Sequence, residues 1–413
     1  MKFIENKEKY GLLYDLSKVA KEYRKLKIPS EYDFINFSNF ENHKYLIDLS
    51  ERSLGKTNCY LLLGMVFNKL YGTTIAYLRE RKDEIAPSKS ETLFEVILNY
   101  NDGKYIKMLT NDKYNSIYTR WSKSYYCRKN EKGEIEEKSE TPFLVFLSCD
   151  KHLDYKGNFN IVNCDFIIYD EFIQPHYNFN ASTNFFDLLS TIIRSRKSPF
   201  ICMLANTLSV NNTWFEELCI SKEVRYMKKG DEKSITTNQG TNIYVRILTQ
   251  KNKKSREEKQ IINKLFFGFD NPKLNAITGS NTWSMSEYQH IYRGMEYTKR
   301  GNPYFIRFAP YEFLRLQFAN YKNRTILLVT RASKILDKDI VFTMSSIEEF
   351  NNCYFAFGSY KFEKTIYRLL EQNLVYYSTN EVGQDFNDYC YKVFNKRKMI
   401  MWKKRGYLPP FFI

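Results

Sequence analysis

Apolar residues first recur at helical spacing between Lys9 and Lys27, where Leu12, Leu13, Leu16, Val19, Ala20 and Tyr23 share a face and predict an amphipathic helix. A short apolar run, Tyr45-Leu-Ile-Asp-Leu-Ser50, then predicts a strand, and after a polar loop Cys59 to Leu70 reads as a buried helix. Thr74-Ile-Ala-Tyr-Leu78 follows at the distance of a βαβ unit and ends in Arg79-Glu-Arg81-Lys82. From Phe94 to Leu147 the pattern is one of short β-like runs, with a hairpin turning at Asn130-Glu-Lys-Gly133 and a strand at Phe143-Leu-Val-Phe-Leu147. Asn163-Cys-Asp-Phe-Ile-Ile-Tyr-Asp170-Glu171 has the composition of a buried parallel strand ending in two acids. Phe185 to Arg196 reads as a helix, and Phe200-Ile-Cys-Met-Leu-Ala205 as one more central strand ending at Asn206. The polar groups thus fall at the carboxyl ends of strands, where an open α/β sheet presents its site.

Beyond about residue 220 the pattern changes. Lys222 to Lys264 is polar and charge-rich, and predicts a linker or lid. Strand-like runs at Tyr304 to Phe308, Phe313 to Phe318 and Thr325 to Thr330 then precede helical runs at Ser346 to Asn351 and Phe362 to Asn373, which predicts a second α/β or α+β domain. The expected division is a first domain over 1–220, a linker or lid over 221–300 and a smaller domain over 301–413.

A chain of 413 residues suits two cores, and 43% hydrophobic with 17% aromatic residues excludes a disordered chain. The net charge of +16 favours a polyanionic partner bound through phosphate contacts, although an ordinary basic protein has the same balance. The eight cysteines form no Cys-x-x-Cys pair and no zinc-ligand spacing, so they read as reduced core thiols. Met1 to Gly11 is polar and lacks the apolar stretch of a secretory signal, and the longest apolar run, Tyr60 to Phe67, is too short to span a bilayer. The expectation is a cytosolic protein with no membrane partner. No period repeats along the chain, which argues against a solenoid or propeller.

Within this frame, Ser50-Glu51-Arg52-Ser53-Leu54-Gly55-Lys56-Thr57 has the make-up of a phosphate-binding P-loop. Backbone N–H groups would wrap the phosphates of ATP, Lys56 would reach the β- and γ-phosphates, and the Thr57 hydroxyl would bind Mg²⁺. Ser50 stands where the pattern has its first glycine, and a serine serves there only if the turn needs no positive φ. A plain β-turn with an exposed lysine is the competing reading; the strand before, the buried helix after and the second strand beyond favour the phosphate loop. Phe166-Ile-Ile-Tyr-Asp170-Glu171 offers an Asp for the magnesium shell and a Glu to polarise the attacking water. Arg194-Ser-Arg196 closes the following helix. An arginine there can reach a neighbouring subunit's γ-phosphate, or it can simply cap the helix's negative end, which is the simpler reading on position alone.

These residues resemble the DNA-encapsidation ATPases of small podoviruses with protein-primed genomes. The resemblance is carried by Arg52, Gly55, Lys56 and Thr57 in the loop, by Tyr77-Leu-Arg79, by Tyr169-Asp-Glu-Phe-Ile173, and by Arg194-x-Arg196 leading to Cys202-Met-Leu-Ala-Asn206 with Ser209-Val210 beyond. It spans about residues 40–220 and is only general further on. It implies an additional-strand (ASCE) P-loop ATPase joined to an RNase H-like domain that contacts DNA and lacks catalytic metal ligands. It further implies a homo-oligomeric ring, a pentamer in that family, which docks transiently on a procapsid portal in the host cytoplasm, with a packaging RNA as a further partner. The implied roles are ATP and Mg²⁺ binding by Lys56 and Thr57, metal and water chemistry by Asp170 and Glu171, a finger in trans for Arg194, and γ-phosphate sensing for Asn206. Asp337 and Asp339 have no convincing third acid, so nuclease activity is not expected.

Such a motor would move double-stranded DNA and grip phosphates rather than bases. Lys228, Lys229, Lys251, Lys253, Lys254 and Arg256, with Lys403, Lys404 and Arg405, are the candidate contacts, each singly also readable as a solvated surface charge. Two rival readings remain: another ring-forming DNA translocase or helicase, and a non-catalytic nucleic-acid-binding protein with a decayed nucleotide site.

Overall fold

The computed structural model describes the chain apart from residues 1–13, 31, 51–53, 100–102, 157–162, 175–180, 195–198, 207–212, 221–222, 225–226, 250–290, 293, 310–311, 333, 337, 344–352, 356–359, 380–381, 384, 388 and 391–413. It divides into two compact units, Met1–Leu208 with Tyr226–Asp270, and Ser209–Arg225 with Asn271–Ile413.

The first unit opens with α1 (Leu16–Lys25), whose start is capped by Asp15 accepting from the N–H groups of Ser17 and Lys18 and whose apolar face buries Leu16, Val19, Ala20 and Tyr23. After α2 (Phe37–Asn42) come β1 (Tyr45–Ser50), α3 (Lys56–Tyr71) and β2 (Ile75–Arg79), the βαβ unit expected from the pattern. Helix α3 is apolar nearly all round, burying every residue from Cys59 to Phe67. It lies so close to the sheet that a Cβ on Gly64 would stand 2.7 Å from Ile75 Cδ1 and 3.0 Å from Phe166 Cδ1.

The stretch after β2 departs from the expected run of strands. Residues 87–109 form short helices, α4 (Pro87–Thr92), α5 (Glu95–Asn99) and α6 (Lys104–Leu109), because Phe94 with Ile97, and Tyr105 and Ile106 with Leu109, bury at helical rather than alternating spacing. The strands resume with β3 (Ser116–Arg120), β4 (Lys123–Lys129), β5 (Ile135–Lys138) and β6 (Leu144–Ser148), the turn of the β4–β5 hairpin closing from Gly133 N–H to Asn130 O at 2.9 Å. A short α7 (His152–Tyr155), β7 (Phe166–Asp170), α8 (Ala181–Ile193) and β8 (Phe200–Asn206) complete the central layer.

The resulting 10-stranded sheet runs β3-β4-β6-β2-β7-β8-β1-β10-β9, with β5 on β4. Strands β6, β2, β7, β8, β1 and β10 (Asn242–Ile247) are mutually parallel, and β9 (Glu232–Thr236) is antiparallel to β10. β8 lies between the strand that leads into the phosphate loop and the strand that ends in the acids, which is the additional-strand arrangement. The charged stretch expected as a linker or lid is corrected in its first part: β9 and β10 belong to the main sheet. Ile243, Val245 and Ile247 are buried beside β1, and the one cation among them, Arg246, is paired inside the core.

The second unit includes a short α9 (Thr213–Glu217), which buries Trp214 and Phe215. Its 7-stranded sheet runs β16-β15-β12-β13-β14-β17, with β11 (Thr298–Lys299) on β13. β12 (Tyr304–Ala309), β13 (Glu312–Tyr321) and β14 (Arg324–Ala332) form an antiparallel meander. β15 (Val341–Thr343) is parallel to β12, and β16 (Cys353–Phe355) to β15. A meander extended by two parallel strands beside its first strand is the expected RNase H-like arrangement. Helix α10 (Tyr360–Glu371) buries Ile366 and Leu369, and β17 (Val375–Tyr377) joins β14. The helix expected over Ser346 to Asn351 and the basic tail lie outside the described residues.

Six of the cysteines, Cys59, Cys127, Cys149, Cys164, Cys202 and Cys390, are buried thiols in no disulfide, as expected of core thiols, whereas the Cys219 thiol is exposed.

Candidate nucleotide site

Ser50 is the last residue of β1 and Lys56 the first of α3, so the phosphate loop spans the gap between the βαβ unit's strand and helix. Glu51, Arg52 and Ser53 lie outside the described residues. Gly55 caps the helix in the left-handed region, φ +81°, which a side chain would strain. Gly55 supplies no side-chain cap, and the positive end of the α3 dipole starts directly at the loop, the arrangement that favours an anion. Ser50 sits in extended strand, where no positive φ is required of a serine in place of the glycine. Its side chain is instead a partner: the buried Lys56 ammonium donates to Ser50 Oγ and stands 3.5 Å from Asn206 Oδ1. Asn206 reaches this point because β8 is in register with β1, Ser50 opposite Asn206.

The acids arrive from β7. Asp170 Oδ2 accepts from Thr57 Oγ1 at 3.0 Å and from the Tyr77 hydroxyl at 2.6 Å, and lies 3.3 Å from Arg79 Nη1. Burial first, then the charge of Asp170, pushes the Tyr77 hydroxyl well above its usual range, so Tyr77 stays protonated and donates. Glu171 takes a left-handed backbone, φ +50°, which turns its own N–H back onto Asp170 Oδ1 at 3.0 Å. The Glu171 side chain is 46% exposed and pairs with Arg79 Nη2 at 2.6 Å. Burial works against the charge on Arg79, but the Asp170 and Glu171 carboxylates outweigh it and hold the guanidinium charged above its usual range. Gln174 ties the turn down, donating to the Glu171 carbonyl at 2.9 Å and to Glu84 Oε1 at 3.3 Å.

Five of the residues singled out from the sequence therefore meet at the carboxyl edge of the sheet as two hydrogen-bonded groups, Ser50–Lys56–Asn206 and Thr57–Asp170, joined through the consecutive Lys56 and Thr57, with the half-exposed Glu171 beside Asp170. Arg194 stands elsewhere. α8 crosses from β7 to the parallel β8, so its 13 residues run back about 20 Å and deliver Arg194 to the opposite edge of the sheet from Lys56 and Asp170. Arg194 is exposed, with a left-handed φ of +46° at the helix end. Arg196 lies outside the described residues.

Sequence reasoning assigned no role to Tyr77, Arg79, Glu84 or Gln174. Tyr77 and Arg79 end β2, next to β7 in the sheet, and an arginine directly after an apolar strand was the available signal. Of the candidate DNA contacts, Lys228 and Lys229 are exposed; Lys251, Lys253, Lys254, Arg256, Lys403, Lys404 and Arg405 lie outside the described residues. So does Asp337, while Asp339 accepts from Leu336 N–H at 2.8 Å in a turn. Among the described residues no group of three His, Cys, Asp or Glu is placed to hold a metal, and no helix is long and apolar enough to cross a membrane.

No family model matches the chain, and no curated protein matches it. Solved structures do. The chain is similar to the Phi-28 gp11 DNA packaging motor, with 15% identity over 85% of this chain and 95% of that one at a TM-score of 0.49. It is similar to the bacteriophage Phi-29 viral genome packaging motor assembly, with 14% identity over 88% and 99% of the two chains and a TM-score of 0.49. It is also similar to the large terminase of a thermophilic bacteriophage in complex with ADP, with 10% identity over 90% of each chain and a TM-score of 0.34.

Proposed function

We propose that this protein is an ATP-hydrolysing motor subunit that drives double-stranded DNA into a preformed viral procapsid, working as a homo-oligomeric ring on the portal. The observation that carries the reading is the meeting of Lys56 and Thr57, at the start of α3, with Asp170 and Asn206 from the neighbouring strands. The donors suit Mg²⁺: a threonine hydroxyl and a carboxylate oxygen 3.0 Å apart are hard ligands of the kind that ion shares with phosphate oxygens. When bound, the ion would neutralise charge on the transferring phosphoryl group. Lys56 holds the phosphates, Glu171 takes the proton of the attacking water, and Asn206 senses the γ-phosphate. Arg79 orients both acids, since it touches each of them.

The position of Arg194, exposed and at the far edge of the sheet from its own loop, supports a role in trans over one in its own site. The resemblance to the podovirus ATPases supports the coupling of hydrolysis to DNA movement, and the net charge of +16 and the exposed Lys228 and Lys229 support grip through phosphates. A pentameric ring and a packaging RNA are proposed on that resemblance alone.

Glu171→Gln tests the core of the reading. The amide keeps the shape but cannot accept a proton, so ATP should still bind while steady-state hydrolysis falls by about 10² or more. Turnover within a few-fold of wild type would remove Glu171 from the general-base role.

A further inference from the structure

We infer that Tyr32 is the base-stacking wall of the nucleotide site, its ring taking the base of a nucleoside triphosphate while the phosphates lie in the loop at Gly55. This rests on the nucleotide-site reading above. The ring lies directly on the loop: from the point where a Cβ on Gly55 would stand, Tyr32 Cδ1 is 3.2 Å away, Cβ 3.5 Å and Cγ 3.6 Å. Position 55 is thus restricted to glycine twice, by its left-handed backbone and by this ring. One side of the ring is covered in this way, yet Tyr32 as a whole remains 43% exposed, one of the few large hydrophobic side chains among the described residues left so open. A half-exposed aromatic ring beside a cluster of phosphate-binding groups offers a stacking surface on the side where the rest of a nucleotide would extend.

The segment that presents the ring is held rigidly, although it has no regular secondary structure. Tyr32 N–H donates to Pro29 O at 2.9 Å, and the Tyr32 carbonyl accepts from the Cys59 thiol of α3. Burial pushes that thiol up to about 11, so it keeps the proton it donates. Two residues on, the Phe34 carbonyl accepts from Arg246 Nη1 at 2.7 Å, and the Phe34 ring is buried with Leu54, Cys59 and Leu248. Asp33 accepts from Ile35 N–H at 3.2 Å and from the Tyr23 hydroxyl at 3.3 Å. Helix α1, helix α3 and strand β10 therefore all fix the backbone at 32–35, and a ring fixed beforehand loses little freedom when a base stacks on it. Stacking engages the face of a base and not its edge, so Tyr32 adds affinity for any nucleoside triphosphate without choosing among bases.

Calorimetric titration of the full chain in Mg²⁺ with a non-hydrolysable ATP analogue, and separately with inorganic tripolyphosphate, isolates the base. Tyr32→Ala should weaken the analogue by about 5- to 150-fold while changing tripolyphosphate by less than about two-fold. Tyr32→Phe keeps the stacking face and should leave both within about three-fold of wild type. Unchanged affinity for the analogue in Tyr32→Ala, or equal loss of both probes, overturns the stacking role; the second result would make the ring a support for the loop. Tyr32→Phe behaving like Tyr32→Ala overturns it as well. If the wild-type chain binds neither probe, or binds tripolyphosphate equally well after Lys56→Ala, the nucleotide site itself fails and this inference with it. Lys56-dependent binding that ignores Tyr32 sinks the inference alone.

Discussion

Replacing Arg246 by leucine perturbs the core at the point where the edge of the main sheet is bound to the phosphate-loop strand. Arg246 Nε donates to Asp48 Oδ1 at 2.8 Å, Nη2 to Oδ2 at 2.5 Å and Nη1 to the Phe34 carbonyl at 2.7 Å, and both ionic partners are buried. Burial works against the charge on Arg246, but Asp48 more than offsets it and holds the guanidinium charged above its usual range. Arg246→Leu leaves the buried Asp48 carboxyl in the centre of β1 without its cation, with only the Tyr60 hydroxyl, 2.8 Å from Oδ2, remaining among these contacts. Breaking a buried pair from one side costs about 3–5 kcal/mol, and the surviving Tyr60 bond puts the loss near the lower end. For a unit of this size that corresponds to a fall in Tm of about 6–16 °C, read by thermal unfolding monitored by circular dichroism. Most of the loss is an uncompensated charge rather than a lost attraction, so adding Asp48→Asn to Arg246→Leu should recover part of it, although Asp48→Asn alone destabilises the wild type. A Tm within about 2 °C of wild type for Arg246→Leu, or a double variant lower than the single by the full cost of Asp48→Asn, would refute this account of the core.

Two further outcomes test the motor. Arg194→Ala subunits should bind ATP through their own Lys56 and Thr57 but lose about 10³ or more of the ring's hydrolysis rate; mixing them with Glu171→Gln subunits should restore part of it, because an intact Glu171 then faces an intact Arg194. Absence of rescue in demonstrably mixed rings returns Arg194 to helix capping. Duplex DNA binding, followed by fluorescence anisotropy, should weaken with a log–log salt slope of about 0.9 per neutralised phosphate and differ little between unrelated sequences; a flat response or one strongly preferred sequence counts against phosphate grip.

Much of this was legible in the chain because the strands of the first unit are short buried runs with their chemistry at one end. Tyr45–Ser50, Phe166–Asp170 and Phe200–Asn206 stand out as apolar segments, and a parallel sheet has to place Lys56, Asp170 and Asn206 at a common edge whatever the details of its loops. What was illegible depended on pairs distant in sequence. Arg246 reads as one more charge in a polar stretch, and Asp48 as an odd acid in an apolar strand; each makes sense only when β10 lies against β1 and the two charges cancel inside the core. The helices at 95–109 were misread as strands because segments of five and six residues carry too little periodicity to separate the two patterns. Tyr32 carried no signal at all, since an aromatic in a loop declares nothing until folding lays it on Gly55. Arg194 belongs to a third kind: its residue type and position were plain, but only the direction in which α8 crosses the sheet puts it out of reach of its own site. Periodicity thus determined which segments were buried and where their polar ends lay, because those are local properties. Tertiary structure decided which charges met and at which edge of the sheet an arginine stands, because those follow from distances between residues that the chain's order does not contain.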